Sequence, residues 1–111
     1  QSYFSEENFK KFILFKETLE IMKLEPVALY TLQNGDVKIY LSNKSLLPMG
    51  PEIIFKANAD VSKIAENLQA ALTTEPLQTD FKKKYSSLLY IDLRFGNKVY
   101  YKFRWRISGK N

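Results

Sequence analysis

LLYIDLRFGNKVYYKFRWR, residues 88–106, is the stretch of this sequence that decides the fold. Two runs with alternating apolar and polar residues flank Gly96-Asn97, and this pattern predicts a β-hairpin. A two-residue loop would mix apolar and charged side chains on one face of the hairpin. A three-residue loop over residues 96–98 makes one face wholly apolar. We therefore predict the three-residue register.

This register fixes which side chains face each other across the hairpin. The last strand is basic and aromatic, and little chain follows it, so we expect its outer backbone groups to form an open sheet edge. The predicted inner pairs are Phe95 with Val99, Leu93 with Tyr101, Ile91 with Phe103 and Leu89 with Trp105, and the predicted outer pairs are Asp92 with Lys102 and Tyr90 with Arg104.

The charge of the chain is concentrated at its C-terminal end. The 111 residues carry a net charge of +5, but residues 82–111 hold nine Lys and Arg against one acid, Asp92. Residues 1–81 hold eight basic and eleven acidic residues. This asymmetry favours an acidic partner, an anionic membrane surface or a nucleic acid.

The composition excludes several kinds of site. The sequence has no Cys and no His, which rules out nucleophilic triads based on them and zinc sites made of thiolate or imidazole. The four glycines are isolated, so there is no Gly-rich phosphate loop. We expect no catalysis, no metal and no cofactor. No apolar run approaches the ~20 residues of a membrane span, so we expect any membrane anchor to lie outside the printed sequence.

Apolar spacing predicts three helices before the final hairpin. The first begins at Ser5 and ends before Pro26, the second is capped by Asp60, and the third runs from Pro76 to Tyr85 with Lys82–Lys84 facing solvent. The residues expected to face the core are Phe12, Phe15, Leu19 and Met22, with Phe9 and Ile13 beside them, in the first helix; Val61, Ile64, Ala65, Leu68, Ala71 and Leu72 in the second; and Leu77 and Phe81 in the third.

The remaining strands lie between the first two helices. Val27–Leu41 reads as a hairpin with a two-residue turn at Asn34-Gly35, which tolerates positive φ at both positions. Residues 42–50 are predicted to form a loop, and residues 51–56 a short strand whose proline suits an edge or a strand start. The inner pairs of this hairpin are expected to be Leu32 with Val37, Tyr30 with Ile39 and Ala28 with Leu41.

These elements define one domain over residues 1–111. The order is helix, hairpin, strand, one or two helices, hairpin. It predicts an α+β fold in which helices pack on one face of a mainly antiparallel sheet of about five strands, ending in a long C-terminal β-hairpin.

Several segments of this chain resemble one protein family. Residues 90–99, YIDLRFGNKV, are similar to the closing motif of the FtsQ/DivIB bacterial cell-division proteins. Residues 32–41 resemble the family's glycine-containing hairpin, and residues 61–68 resemble the helix that follows it. The resemblance covers roughly residues 9–103. It departs from the family at Leu41-Ser42, where the family has leucine followed by glycine.

The resemblance implies a non-catalytic domain on the outer side of the cell membrane, attached by a single membrane span, that helps to assemble the division machinery at the septum. Such domains bind FtsB/DivIC-type and FtsL-type proteins, with a partner strand added to the last strand of the sheet. By position, Arg94, Phe95 and Phe103 match partner-contacting places. We extend the predicted partner-binding site to Lys98, Tyr100, Tyr101 and Lys102, and we expect the Tyr100 N–H to be a donor for the added strand.

Other interpretations remain open at the level of sequence. Phe103 fits either a core position or a partner contact. Residues 81–85, FKKKY, fit a solvated helix end as well as a basic binding segment. The basic aromatic hairpin also fits single-stranded nucleic-acid binding, in which aromatic rings stack on bases, or attachment to an anionic lipid surface. The preferred interpretation involves no nucleic acid.

Overall fold

The computed structural model describes residues 6–42 and 50–104, apart from the side chains of Glu7 and Asn8. The predicted start of the first helix at Ser5, most of the predicted loop 42–50, and Trp105 lie outside the described residues. The elements in chain order are α1 (Glu6–Ile21), β1 (Pro26–Thr31), β2 (Asp36–Leu41), β3 (Glu52–Lys56), α2 (Val61–Leu72), α3 (Leu77–Lys84), a 3₁₀ turn (Tyr85–Ser87), β4 (Leu88–Phe95) and β5 (Lys98–Phe103).

The five strands form one sheet in the order β1-β2-β3-β4-β5. Every neighbouring pair is antiparallel except β3 and β4, which run parallel because α2 and α3 connect them by a crossover. The predicted α+β class and the mainly antiparallel five-stranded sheet are confirmed. β3 is a central strand, and Pro51 lies just before it, where its missing N–H removes no ladder bond.

The core lies between one face of the sheet and the helices. Phe15 and Leu19 of α1 are fully buried, as are Ile39, Ile53 and Ile91 of the three central strands. Phe15 and Leu19 are four residues apart, and the fully buried Val37, Ile39 and Leu41 of β2 are two apart, which are the periods of a helix face and of a strand face. The predicted inner residues Phe9, Tyr30 and Leu32 are wrong, because more than a third of each is exposed.

The helix ends follow from local hydrogen bonds. Asp60 caps α2, since its carboxylate accepts the Lys63 N–H at 3.3 Å, as predicted. α1 stops at Ile21, earlier than Pro26 requires. Lys23 takes a left-handed φ of +66°, and the Leu24 N–H donates to the Leu19 carbonyl at 2.8 Å. This is a Schellman ending, with Lys23 in the position that usually holds glycine.

The first hairpin has a three-residue loop, so the predicted two-residue turn is wrong. Thr31 pairs with Val37 and Leu29 with Ile39, each one residue from the predicted partner, and Leu41 pairs with Pro26, two residues from it, because a bulge follows Pro26. The Gly35 N–H donates to the Leu32 carbonyl at 3.0 Å, and Gly35 has φ +91°. A type I turn followed by a left-handed glycine produces this loop.

The register predicted for the second hairpin is also wrong. Phe95 pairs with Lys98 around a two-residue loop, whereas Ile91 pairs with Tyr101. One extra residue interrupts β4 between Asp92 and Phe95, and another lies between Leu88 and Tyr90. These β-bulges shift the pairing in two steps. The bulges leave Leu89 and Phe95, two predicted core residues, substantially exposed.

Candidate protein-binding edge

The last described strand forms one edge of the sheet. β5 pairs with β4 on one side, and the strand order over residues 6–42 and 50–104 places no strand on its other side. Both bulges lie in β4, so β5 keeps a regular alternation of its backbone groups. The Arg104 N–H donates to the Ser87 carbonyl at 2.6 Å. By alternation, the N–H groups of Lys98, Tyr100 and Lys102 also face β4.

The open backbone groups therefore belong to the other residues of β5. Those are Val99, Tyr101 and Phe103, whose N–H and C=O groups point away from β4. The expected donor at Tyr100 is thus wrong. Val99 was not predicted as an edge donor, because the two-residue turn that pairs Phe95 with Lys98, and not the predicted three-residue turn, decides which backbone groups of β5 face β4.

The side chains of the predicted site divide between the two faces of the sheet. Tyr101 and Phe103 lie on the helix-covered face, where they are half-buried against the core and their ring centroids are 5.9 Å apart. Lys98, Tyr100 and Lys102 are exposed on the outer face. Phe103 therefore packs on the core, which is one of the two roles left open, while its backbone lies at the edge of the sheet.

An aromatic pair stands beside the edge on the outer face. Phe95 is 52% exposed and Tyr100 is 49% exposed, and their rings meet edge-to-face with centroids 5.4 Å apart. The bulge before Phe95 turns its side chain to this face, where the Arg94 guanidinium lies 5.5 Å from its ring centroid. The sequence predicted both aromatics as site residues but assigned Phe95 to the core face.

Arg94 is held by an ion-pair network that spans three strands. Its guanidinium donates to Asp36 of β2 at 2.7 Å and to both carboxylate oxygens of Asp92 at 2.7 and 2.9 Å. Lys56 of β3 lies 3.4 Å from the Asp36 carboxylate. The predicted ion pair between Asp92 and Lys102 is wrong, since Asp92 lies opposite Tyr100 and engages Arg94 instead.

This network perturbs the titration of its members. Burial by itself would raise the pKa of Asp36, but hydrogen bonds from Arg94 and Lys56 outweigh it and leave that pKa below its usual 3.8. Hydrogen bonds to Asp92 and Asp36 raise the pKa of Arg94, against the opposing effect of burial. Arg94 is therefore permanently charged and anchored, and its side chain remains 29% exposed.

The turn of the second hairpin is tied to the helical layer. The Asn67 side-chain amide of α2 donates to the Gly96 carbonyl at 3.1 Å. Gly96 has φ +65°, a conformation that favours glycine. Together with the Arg94 network, this contact fixes the hairpin at both faces. The edge is thus presented on a rigid support.

Other kinds of site find no support in the described part of the chain. No group of three or more acidic, His or Cys side chains there is placed to hold a metal ion. Among the same residues, no helix is long and apolar enough to cross a membrane.

A scan of protein-family models finds none that matches this chain, and a search of curated proteins finds no significant match. We therefore infer function from the geometry of the edge and from the family resemblance of its sequence.

Proposed function

We propose that this chain is a non-catalytic assembly domain that binds a partner protein by adding a partner strand to β5. In keeping with the FtsQ/DivIB resemblance, the proposed partners are FtsB/DivIC-type and FtsL-type division proteins. The proposed location is the outer side of the cell membrane, with the anchor outside the printed sequence. The observation that carries the proposal is the regular strand β5, with three residues whose backbone groups face away from the sheet.

The charge of the edge supports an acidic partner segment. Lys98, Lys102 and Arg104 are exposed along β5, and no ion pair within 4 Å involves them among the described residues. Free cations at the rim of an interface steer an oppositely charged partner and set its register. They also repel a second copy of the same edge, which reduces self-association.

The aromatic pair supplies an anchor for side chains of the added strand. Phe95 and Tyr100 sit next to the edge on the outer face, and large exposed aromatics are the residue type that dominates binding energy at interfaces. The other edge of the sheet, β1, carries no Lys, Arg, Asp or Glu. An acidic strand would therefore be attracted to β5 rather than to β1.

Proline substitution at Val99 tests strand addition directly. Val99→Pro removes an N–H that faces the open side of β5, and an edge strand tolerates proline at such a position. Val99→Ala is the control, because it also removes the valine side chain but keeps the N–H. We expect Val99→Pro to bind a peptide from the extracytoplasmic part of an FtsB/DivIC-type partner about tenfold or more weakly than Val99→Ala does, as measured by calorimetric titration. Equal affinities of two folded variants would contradict strand addition at β5.

Single-stranded nucleic-acid binding is the second candidate, because two exposed aromatics lie among exposed cations on the outer face. The dependence of binding on salt separates the two candidates. Several phosphate contacts would make affinity for an oligonucleotide fall ~10³-fold or more between 50 and 200 mM salt. Strand addition depends mainly on backbone hydrogen bonds, so its affinity should change far less over that range.

A further inference from the structure

A groove lies at the end of the helical layer, at the opposite end of β4 from the β4–β5 turn. It has a volume of about 540 Å³ and lies where the ends of α1 and α2 meet α3. Its apolar walls come from Met22, Leu24, Leu72, Phe81 and Tyr85. This volume is within the range of ordinary small-molecule sites.

Two hydroxyl groups of the groove lining are already engaged in hydrogen bonds. The Tyr85 hydroxyl donates to the Ser42 carbonyl at 2.9 Å, and the Thr73 hydroxyl donates to the Gln69 carbonyl at 2.9 Å. Burial, together with the charge of nearby Glu25, raises the pKa of Tyr85 to about 12. A bound peptide would bring an N–H and a C=O group for nearly every residue, more polar groups than the free side chains of the described lining can pair. An alkyl chain brings none.

The rim of the groove adds positive charge and free donors. Lys23 and Lys82 line it, and neither forms an ion pair within 4 Å among the residues described, although the charge of Lys82 also acts on Glu75. No hydrogen bond involves the side-chain amides of Gln69 and Gln78 within the same part of the chain. Glu25 is the one acid among the described lining residues, against two lysines, so this part of the lining has a net positive charge.

We propose that this groove binds a free long-chain fatty-acid anion, with its alkyl chain against the apolar wall and its carboxylate at the lysines of the rim. The alkyl chain matches the apolar side chains of the lining, and the carboxylate matches the two lysines and the two free side-chain amides that line the same groove. This site is independent of the edge at β5.

Titration of the whole chain with dodecanoate below its micelle concentration tests the proposal, with dodecan-1-ol and butyrate as comparison ligands. We expect saturable binding of dodecanoate, with amide chemical-shift changes centred on residues 22–24, 69–73 and 78–85. Binding should be at least about tenfold weaker for the alcohol, which lacks the charge, and for butyrate, which lacks the chain. No saturation, or shift changes centred elsewhere, would overturn the site.

Two lysine variants separate a built site from general attraction to a basic protein. Lys82 and Lys83 are exposed neighbours in the last turn of α3, and Lys83 does not line the groove. Lys82→Glu should weaken dodecanoate binding about tenfold, and Lys83→Glu, with the same change in net charge, less than twofold. Equal effects of the two variants would overturn the proposal, whatever the outcome of the strand-addition test.

Discussion

Arg94 is the residue on which the outer face of the sheet depends. From β4 its guanidinium reaches across β3 to the Asp36 carboxylate of β2, and it also pairs with Asp92 of its own strand. Both carboxylates are buried. The family resemblance implies that Arg94 contacts a partner, yet its guanidinium N–H groups donate mainly to Asp36 and Asp92 within the domain. We interpret it as a positioning residue that fixes the outer face and holds its guanidinium against Phe95.

Removal of Arg94 should therefore be costly for stability. Arg94→Ala leaves Asp36 and Asp92 without their main partner, and we expect a loss of about 2–3 kcal/mol in the free energy of unfolding, measured with urea. Lys98→Ala, which removes an exposed cation with no close partner among the described residues, should change it by no more than about 0.5 kcal/mol. Similar values for both variants would show that the network contributes little.

Asp36 should make stability depend on acid pH. Its pKa lies below 3.8 in the folded protein, so the unfolded chain binds more protons in that range and folding is favoured at higher pH. The stabilisation that ionised Asp36 provides is present above about pH 4, and it is lost as the pH falls through the lower pKa that Asp36 has in the folded protein. Urea unfolding between pH 2 and 6 should show this slope, and Asp36→Asn should reduce it. An unchanged slope in that variant would contradict the assignment.

At the scale of the element, patterns decided which segments are helices and strands but did not decide register. Helical spacing and caps predicted α2 and α3 closely, since Asp60, Leu77 and Phe81 act locally. Both hairpins were predicted in the right places with the wrong pairing. In each case a turn glycine or a bulge shifts the ladder, and several registers satisfy a strand that is apolar on alternate positions.

Gly96 tests how the second turn is specified. Its φ of +65° disfavours any residue with a Cβ, although an added Cβ would meet no atom within 4 Å. Gly96→Ala should therefore cost about 1 kcal/mol, from backbone conformation and not from steric overlap. Thermal or urea unfolding measures this cost. A neutral substitution would show that the turn adapts without a left-handed residue.

The sequence predicted the strand of the candidate site and its exposed side chains, but not its open backbone groups. Composition and alternation pointed to β5, and the exposed Lys98, Tyr100 and Lys102 are where they were expected. The open backbone groups of Val99 follow from the two-residue turn, and the outward side chain of Phe95 follows from a bulge in β4; the alternation of the sequence predicts neither. The Arg94 network joins residues 58 positions apart, a contact that follows only from the strand order.

At the scale of the whole molecule, charge and topology act together. The sheet has two edges, and β5, from the basic residues 82–111, forms one of them, while β1, from the more acidic residues 1–81, forms the other. An acidic partner strand would be attracted to the first of these edges. The groove at the opposite end of β4 from its turn offers a separate surface for a different ligand.

Amide hydrogen exchange along β5 of the unbound protein tests the open edge most directly. The N–H groups of Val99, Tyr101 and Phe103 should exchange rapidly, while those of Tyr100 and Lys102, which are bonded to β4, should be protected. Bound partner should then protect the first set. Slow exchange at Val99 and Tyr101 without any partner would mean that the edge of the sheet at β5 is already covered, and would contradict strand addition to β5.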